Sequence, residues 1–555
     1  MPASATGSRG TSVRLSGVIV NRLVWLGAGG LGGLTAVAML VANDFWNMTG
    51  AARLPLANSF FEHFGLIAAL LMAVWLRLCW SAFIRRRHSY SVLLIIVVTA
   101  FCLGIGKRVE ANENAAPCAE KRPPVLSNRW QEDWSVLAAP CMPAKPLDDL
   151  KYIPLGDDPH SYLSLGANLR ERVEVSGAPM FGVGPASANT RLLQRAQASA
   201  DLRIAQHYQM FVQLADARTY GKDIATPVDR SPPDIEQAFI AWVGHAAGTT
   251  AKLRIGRQEM AFDLQHFISV REGTNIRQSF DAVWGDLEYS KWRFIGYATR
   301  PVQNRGNMAF DDRSNRHLAF SGVRFERKDV GPGDLSGYYS RYKRSNAAFL
   351  DAKGDEHRHV FDLRYFGRAG HADWDVESML QVGHVGRDVI NAWAVGSLAG
   401  YALDGWGTPR VGLQIDVASG DRHPGDGRVG TFNPLFPNGY YFTLAGFTGY
   451  ANIVHIKPSI TLKPSTRLSL LAALGFQWRQ TENDAIYQQG NVAVPGTAGH
   501  GSRWTGMYVQ LRSDWMVTDN LISSIEAVHF QAGNAIRSLG GSNADYVGIE
   551  LKYGW

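Results

Sequence analysis

From about Tyr162 to Trp555 the chain is a succession of roughly ten-residue stretches in which apolar and polar positions alternate between turn residues. The last stretch is the clearest. Val547, Ile549, Leu551, Tyr553 and Trp555 are apolar, while Gly548, Glu550, Lys552 and Gly554 between them are small or charged. An extended strand of period two sends these two sets to opposite faces. One wholly apolar face ending on an aromatic predicts a strand of a bacterial outer-membrane barrel. Taken alone, this segment also fits the last strand of a soluble sandwich.

The repetition decides between them. Leu163, Leu165, Ala167, Leu169 and Val173 alternate with Ser164, Gly166, Asn168, Arg170 and Arg172. Ala196, Ala198, Ala200, Leu202 and Ile204 alternate with Arg195, Gln197, Ser199, Asp201 and Arg203. Later, Val411, Leu413, Ile415 and Val417 oppose Arg410, Gly412, Gln414 and Asp416. The pattern predicts an all-β membrane protein: a single large transmembrane antiparallel β-barrel of about 18 strands over residues 161–555. A sandwich has no need of so many strands with one consistently dry face. The longest interruptions, such as residues 418–441, are expected to be extracellular loops, with short turns at the periplasmic end.

Residues 1–111 form a separate hydrophobic region with apolar stretches at 23–42, 65–76 and 91–106. The third follows Arg85-Arg86-Arg87-His88 and precedes Val109-Glu110-Ala111, the order of a secretory signal peptide cleaved near Ala111. Either the start is over-extended ahead of that signal peptide, or the region is a membrane anchor. The first is favoured, because a barrel tethered by spanning helices does not leave the inner membrane. Gly27, Gly29 and Gly32 fit G-x-G-x-x-G, but inside an apolar run with no preceding strand they predict no dinucleotide site. Residues 112–160 are polar and Pro-rich, and are expected to be a periplasmic leader or a partial plug.

Composition narrows the partners. Residues 1–111 carry 10 Lys and Arg against 3 Asp and Glu, so the whole net charge of +7 resides there and the rest of the chain is neutral. A nucleic-acid partner is therefore not expected. Mean hydropathy is −0.12, too polar for a helical transporter but natural for a barrel whose alternate residues face water. Cys118 and Cys141 are a candidate disulfide in an oxidising periplasm, with free thiols the alternative. No spacing suits zinc, and no metal or cofactor is expected. Without G-x-S-x-G or H-E-x-x-H, no enzyme is expected. His357, His359 and His529 fall on apolar-phase positions and read as interfacial girdle residues.

The polar face carries the candidate chemistry. Its phase places Arg170, Arg172, Arg195, Arg203, Arg254, Arg293, Arg324, Arg358, Arg364, Arg410, Arg479 and Arg512 inward, with fewer carboxylates, among them Glu174, Asp201, Asp362 and Asp416. Rings of Arg in a pore favour anions, because each guanidinium keeps its charge and binds carboxylates through a planar fork. The alternative for each is a wall-bracing ion pair. The densest cluster contributes Arg254, Arg257, Arg271 and Arg277, with the segment after Glu259 expected to fold into the pore as a constriction loop. Arg257 is out of phase with Arg254 and calls for a bulge or a strand end. Phe432, Phe436, Tyr440, Tyr441 and Phe442 either stack sugars at the mouth or pack their own loop.

These runs carry a resemblance. Arg254-Ile255-Gly256-Arg257-Gln258-Glu259, Arg271-Glu272-Gly273 and Arg277-Gln278-Ser279-Phe280-Asp281 resemble the alginate-export family of outer-membrane barrels. So do Ser419-Gly420-Asp421, the run from Thr431 to Pro437, and Asn128-Arg129-Trp130-Gln131-Glu132-Asp133-Trp134. The resemblance spans about residues 128–555. It implies an 18-stranded barrel whose Arg-rich constriction passes an anionic uronate polymer outward, with Arg254, Arg257, Arg271 and Arg277 at the constriction. The expected function is thus an anion-selective outer-membrane porin for an alginate-like polysaccharide. The alternative is a diffusion channel for uptake of small organic or aromatic acids; an outer-membrane hydrolase ranks behind both. Expected partners are outer-membrane lipid, the anionic polysaccharide or small organic anion, and periplasmic export machinery, with the barrel itself a monomer.

Overall fold

The computed structural model describes residues 121–184, 188–222 and 226–555; the hydrophobic region at 1–111, with its signal peptide or anchor, and Cys118 lie outside the described residues. The strands run β1 (Tyr162–Ser176), β2 (Asn189–Ile204), β3 (Tyr208–Tyr220), β4 (Ser231–Ala246), β5 (Thr249–Glu259) and β6 (Ser279–Tyr289). They continue as β7 (Trp292–Gln303), β8 (Leu318–Val330), β9 (Gly333–Ala348), β10 (Lys353–Ala369), β11 (Ala372–Val385) and β12 (Asp388–Ala402). The last third holds β13 (Arg410–Ala418), β14 (Ile453–Ser465), β15 (Leu468–Trp478), β16 (Trp504–Met516), β17 (Leu521–Ala532) and β18 (Ala544–Gly554). Each pairs antiparallel with the next, and β18 pairs back onto β1, with Val547 opposite Val175 and Tyr553 opposite Leu169. The result is a closed 18-strand antiparallel barrel with no free edge.

Burial follows the alternation. On β10, Glu356, Arg358, Val360, Asp362 and Arg364 are buried, whereas Phe361 and Leu363 between them are 47% and 51% exposed. Exposed apolar side chains on every second residue are the mark of a lipid-facing wall, since the hydrocarbon solvates them and the inward side must find polar partners. The opposed histidines His357 and His384 stack with ring centroids 4.9 Å apart on that outer face.

The two ends differ. At one end the strands are joined by tight turns such as Ala247-Gly248, whose φ values of 48° and 75° give the twist that suits a two-residue hairpin. At the other end lie the long connections, chiefly 260–278, 304–317, 419–452 and 479–503. The segment 260–278 folds inward and meets 419–452, where Ile268 bridges Phe436 and the Phe436 amide donates to the Phe267 carbonyl at 2.8 Å. Phe262, Phe267, Phe280, Phe320, Phe432, Phe436, Phe442 and Tyr450 form one buried cluster with wall residues Val360 and Met379. The barrel interior at this end is therefore an apolar core made by loops, where the alternation by itself implied only polar lining. Phe432 and Phe442 are 0% and 1% exposed, so the sugar-stacking reading of these rings gives way to loop packing.

The leader enters from the tight-turn end. Arg203 donates to the carbonyls of Trp130 and Glu132, both at 2.8 Å, and the Trp130 ring meets Phe239 edge-on at 5.8 Å. A short helix, Asp148–Lys151, then carries the chain back to β1, and its Lys151 donates to the Leu165 carbonyl at 2.7 Å. Among the described residues no helix is long and apolar enough to cross a membrane.

Candidate functional site

The inward-folded turn at 271–274 organises the site. Arg170 on β1 donates to three of its carbonyls in a row, those of Glu272 (3.1 Å), Gly273 (3.0 Å) and Thr274 (2.8 Å), while its Nε holds Glu550 at 2.7 Å. Tyr440 from the long loop braces the same turn, its hydroxyl donating to the Gly273 carbonyl at 2.9 Å. A Cβ at Gly273 would fall 1.5 Å from the Tyr440 ring, so any larger residue there would push that ring off the turn. The Glu272 side chain then reaches a knot of cations: Arg195 Nη2 at 2.6 Å, Lys552 Nζ at 3.2 Å and Arg277 Nε at 3.3 Å. Loss of hydration inside the barrel opposes ionisation of Glu272, yet Arg195, Arg277, Lys552 and Arg170 together hold its carboxyl well below the usual range.

Arg277 links this knot to the leader. It pairs with Glu259 at 2.6 Å and donates to the Ser127 carbonyl at 3.1 Å and to Asn128 Oδ1 at 3.2 Å. Arg172 lies beside Arg170 and is shared among Glu174, Glu526 and Glu550. Structure thus brings Arg170, Arg172, Arg195 and Arg277 into one network.

The other candidates lie apart from it. Arg254 stands over the Trp130 ring at 4.4 Å, with Phe239 and Trp284 alongside and Gln258 accepting from its Nε. Arg271 donates to Gln278 at 3.1 Å; burial draws its guanidinium down to about 10, which leaves it charged at neutral pH. Neither has a carboxylate at ion-pair distance among the described residues. Arg203 pairs with Asp201 near the tight turns, and Arg410 forks onto Asp373. Asp416 sits on the far wall, accepting from Tyr441 (2.8 Å) and Tyr450 (3.0 Å) and facing His455 Nδ1 at 3.0 Å.

Arg257 is placed differently from its neighbours. Pairing runs through Gly256 without a register shift, so Arg257 shares the face of the exposed Leu253 and Ile255, opposite to Arg254. At this strand end it binds Asp281 at 2.9 Å and the Ile235 carbonyl at 3.0 Å.

Two acidic groups have the spacing for a cation, Asp234 with Asp311 and Asp312, and Asp263 with Asp362 and Glu377. In the second, Arg324 and Arg364 already occupy Asp263, each at 2.7 to 2.8 Å, so guanidinium serves where a metal would. Cys141 is disulfide-bonded.

Alternation along single strands does not reveal these partners. Glu550 and Lys552 were visible as polar-face residues of the last strand, but their approach to Arg170 and Glu272 depends on β18 closing onto β1. Trp130 was legible only as part of a motif.

Comparison with known proteins places the fold in context. The alginate export family model matches residues 161–550. No curated protein sequence matches. Among solved structures, Pseudomonas aeruginosa OccK3 (OpdO) is similar at 11% identity and a TM-score of 0.48, over 71% of this chain and 95% of that one. The outer membrane protein OpdK of the same organism gives 11% identity, a TM-score of 0.48, and coverage of 71% and 98%. P. aeruginosa OccK2 (OpdF), solved in complex with glucuronate, gives 11% identity, a TM-score of 0.46, and coverage of 71% and 96%.

Proposed function

The chain belongs to the alginate export family, and from that premise we propose that this outer-membrane channel is anion-selective and passes a uronate polymer of the alginate type. The barrel sits in the bacterial outer membrane, its exposed apolar wall in contact with lipid. One observation carries the finer reading: Arg195, Arg277 and Lys552 converge on a single carboxylate, that of Glu272, inside the barrel, while Arg170 holds the carbonyl of the same residue. A site that holds one carboxylate this way suits the repeating carboxylates of a polyuronate. Several such contacts along the lumen, with Arg254, Arg271 and Arg203 as further stations, replace hydration without trapping the chain. Export by periplasmic machinery supplies direction to a pore that has none of its own.

A second reading, a diffusion channel for small organic acids, is favoured by one feature. The inward loop and the leader meet at Arg277 and Ser127 inside the barrel, which puts protein in the path that a bulky polymer would need.

Reversal potential and conductance of the full chain in planar bilayers, with and without an oligouronate, test the proposal. Anion preference that falls when Arg254 and Arg271 become Ala, together with block by oligouronate, supports the polymer channel. Anion preference without oligouronate block supports the small-acid channel, and cation preference overturns both.

A further inference from the structure

We propose that Glu272 is a built-in stand-in for the substrate: its carboxylate occupies a carboxylate-binding site formed by Arg195, Arg277 and Lys552, and a permeating acid displaces it. The inference rests on the anion-channel reading above and adds the device by which that site is closed and opened.

Accessibility is the first support. Glu272 keeps 33% of its side chain exposed, whereas Arg195 and Arg277 are at 4% and 2%. Lys552 is 34% exposed beside it, while Glu272 Oε2 is buried against Arg277, so a soluble carboxylate reaches Arg195 and Arg277 only once the Glu272 side chain has moved aside.

Incomplete bonding is the second. Glu272 Oε1 accepts from Arg195, but Oε2 has no hydrogen bond, and the buried Nε atoms of Arg195 and Arg277 have none either. Arg277 Nε stands 3.3 Å from Oε2, close enough to attract it but out of line for donation. Glu272 therefore neutralises the site without filling its donor geometry. A free carboxylate, unconstrained by the turn, can engage both unused donors, and charge-assisted bonds of this kind are the strong ones.

The third support is that the backbone is anchored without the carboxylate. Arg170 grips three carbonyls of the turn, and Tyr440 packs on Gly273 and bonds its carbonyl. Exchange requires that the Glu272 side chain, one-third exposed and with its Oε2 buried, rotate out into the lumen. When it leaves, Arg195 loses its one ion pair among the described residues and becomes available.

The test is Glu272→Gln in the full chain, which keeps size and turn anchoring while removing the competing charge. The half-blocking concentration of a uronate tetrasaccharide is measured in planar bilayers, beside a neutral tetrasaccharide as control. The expected result is tighter block by the uronate, on the order of tenfold, with the neutral sugar unchanged. Glu272→Asp, which restores the charge, is expected to return block toward that of the unaltered protein. Unchanged uronate block in Glu272→Gln, in a channel that is anion-selective, overturns the inference while leaving the channel reading intact. If the unaltered channel has no anion preference but Glu272→Gln acquires one, the stand-in role holds and Glu272 is what masks selectivity. If neither prefers anions, both readings fall.

Discussion

Arg129 and Trp555 are separated by 426 residues in the chain and are joined by a hydrogen bond from the guanidinium of the first to the carbonyl of the second. Arg129 is 4% exposed and also pairs with Glu132 at 3.2 Å, so the leader is tied to the seam where β18 closes onto β1. Replacing Arg129 by Ala leaves that carbonyl and Glu132 without their cation. The expected cost is about 1–3 kcal/mol of leader docking, the usual range when a buried polar partner is removed. Hydrogen exchange over residues 121–151 checks this: amides there should exchange faster while those of β10 and β11 stay protected.

Leader docking should also strengthen with rising pH. Burial, aided by the nearby Arg129, draws the Lys151 ammonium down to about 7, and its Nζ lies 4.7 Å from the Trp555 ring. The undocked lysine keeps its proton to about 10.4. Between those values the undocked form binds more protons, so docking is weakest below pH 7 and gains steadily as pH rises toward the upper value. Tryptophan fluorescence across pH 6 to 10 reports it, and Lys151→Met should flatten the curve.

Arg254 and Arg257 are three residues apart on β5 and should behave as opposites. Arg254 shares the inward face with Trp130, so Arg254→Ala is expected to lower anion selectivity and loosen the leader, the lost cation–π contact being worth about 0.5–2 kcal/mol. Arg257 is bound to Asp281 on the other face, so Arg257→Ala should leave selectivity unchanged and lower only the stability of the strand end. Reversal potentials beside thermal unfolding separate the two; equal loss of selectivity in both would contradict this assignment of faces.

The outer wall gives a prediction independent of transport. Leu363 is 51% exposed on β10, between the inward-facing Asp362 and Arg364. Leu363→Arg places a charge in hydrocarbon and is expected to destabilise the barrel by about 2–4 kcal/mol. Denaturant unfolding from lipid vesicles measures it. The same substitution at Trp406, which is 76% exposed in the turn region, should cost far less.

The wall is legible in the chain before any strand is paired. Period-two alternation is a local property, carried by neighbours such as Phe361, Asp362 and Leu363, and it names the inward and outward faces strand by strand before any strand has a partner. It also located the inward segment after Glu259, because alternation lapses there. What lies inside the wall depends on closure of the barrel and on the loops. Glu272 finds Lys552 because the last strand closes onto the first, and it finds Arg195, as Trp130 finds Arg254, because the loop and the leader fold in against a wall distant in the chain. The aromatic cluster around Phe436 has the same origin, with two loops and the wall each supplying rings that no single segment can bury alone. Alternation records which way a side chain points, but its partner is set by the closure of β1 on β18 and by the loops folding into the space that closure encloses.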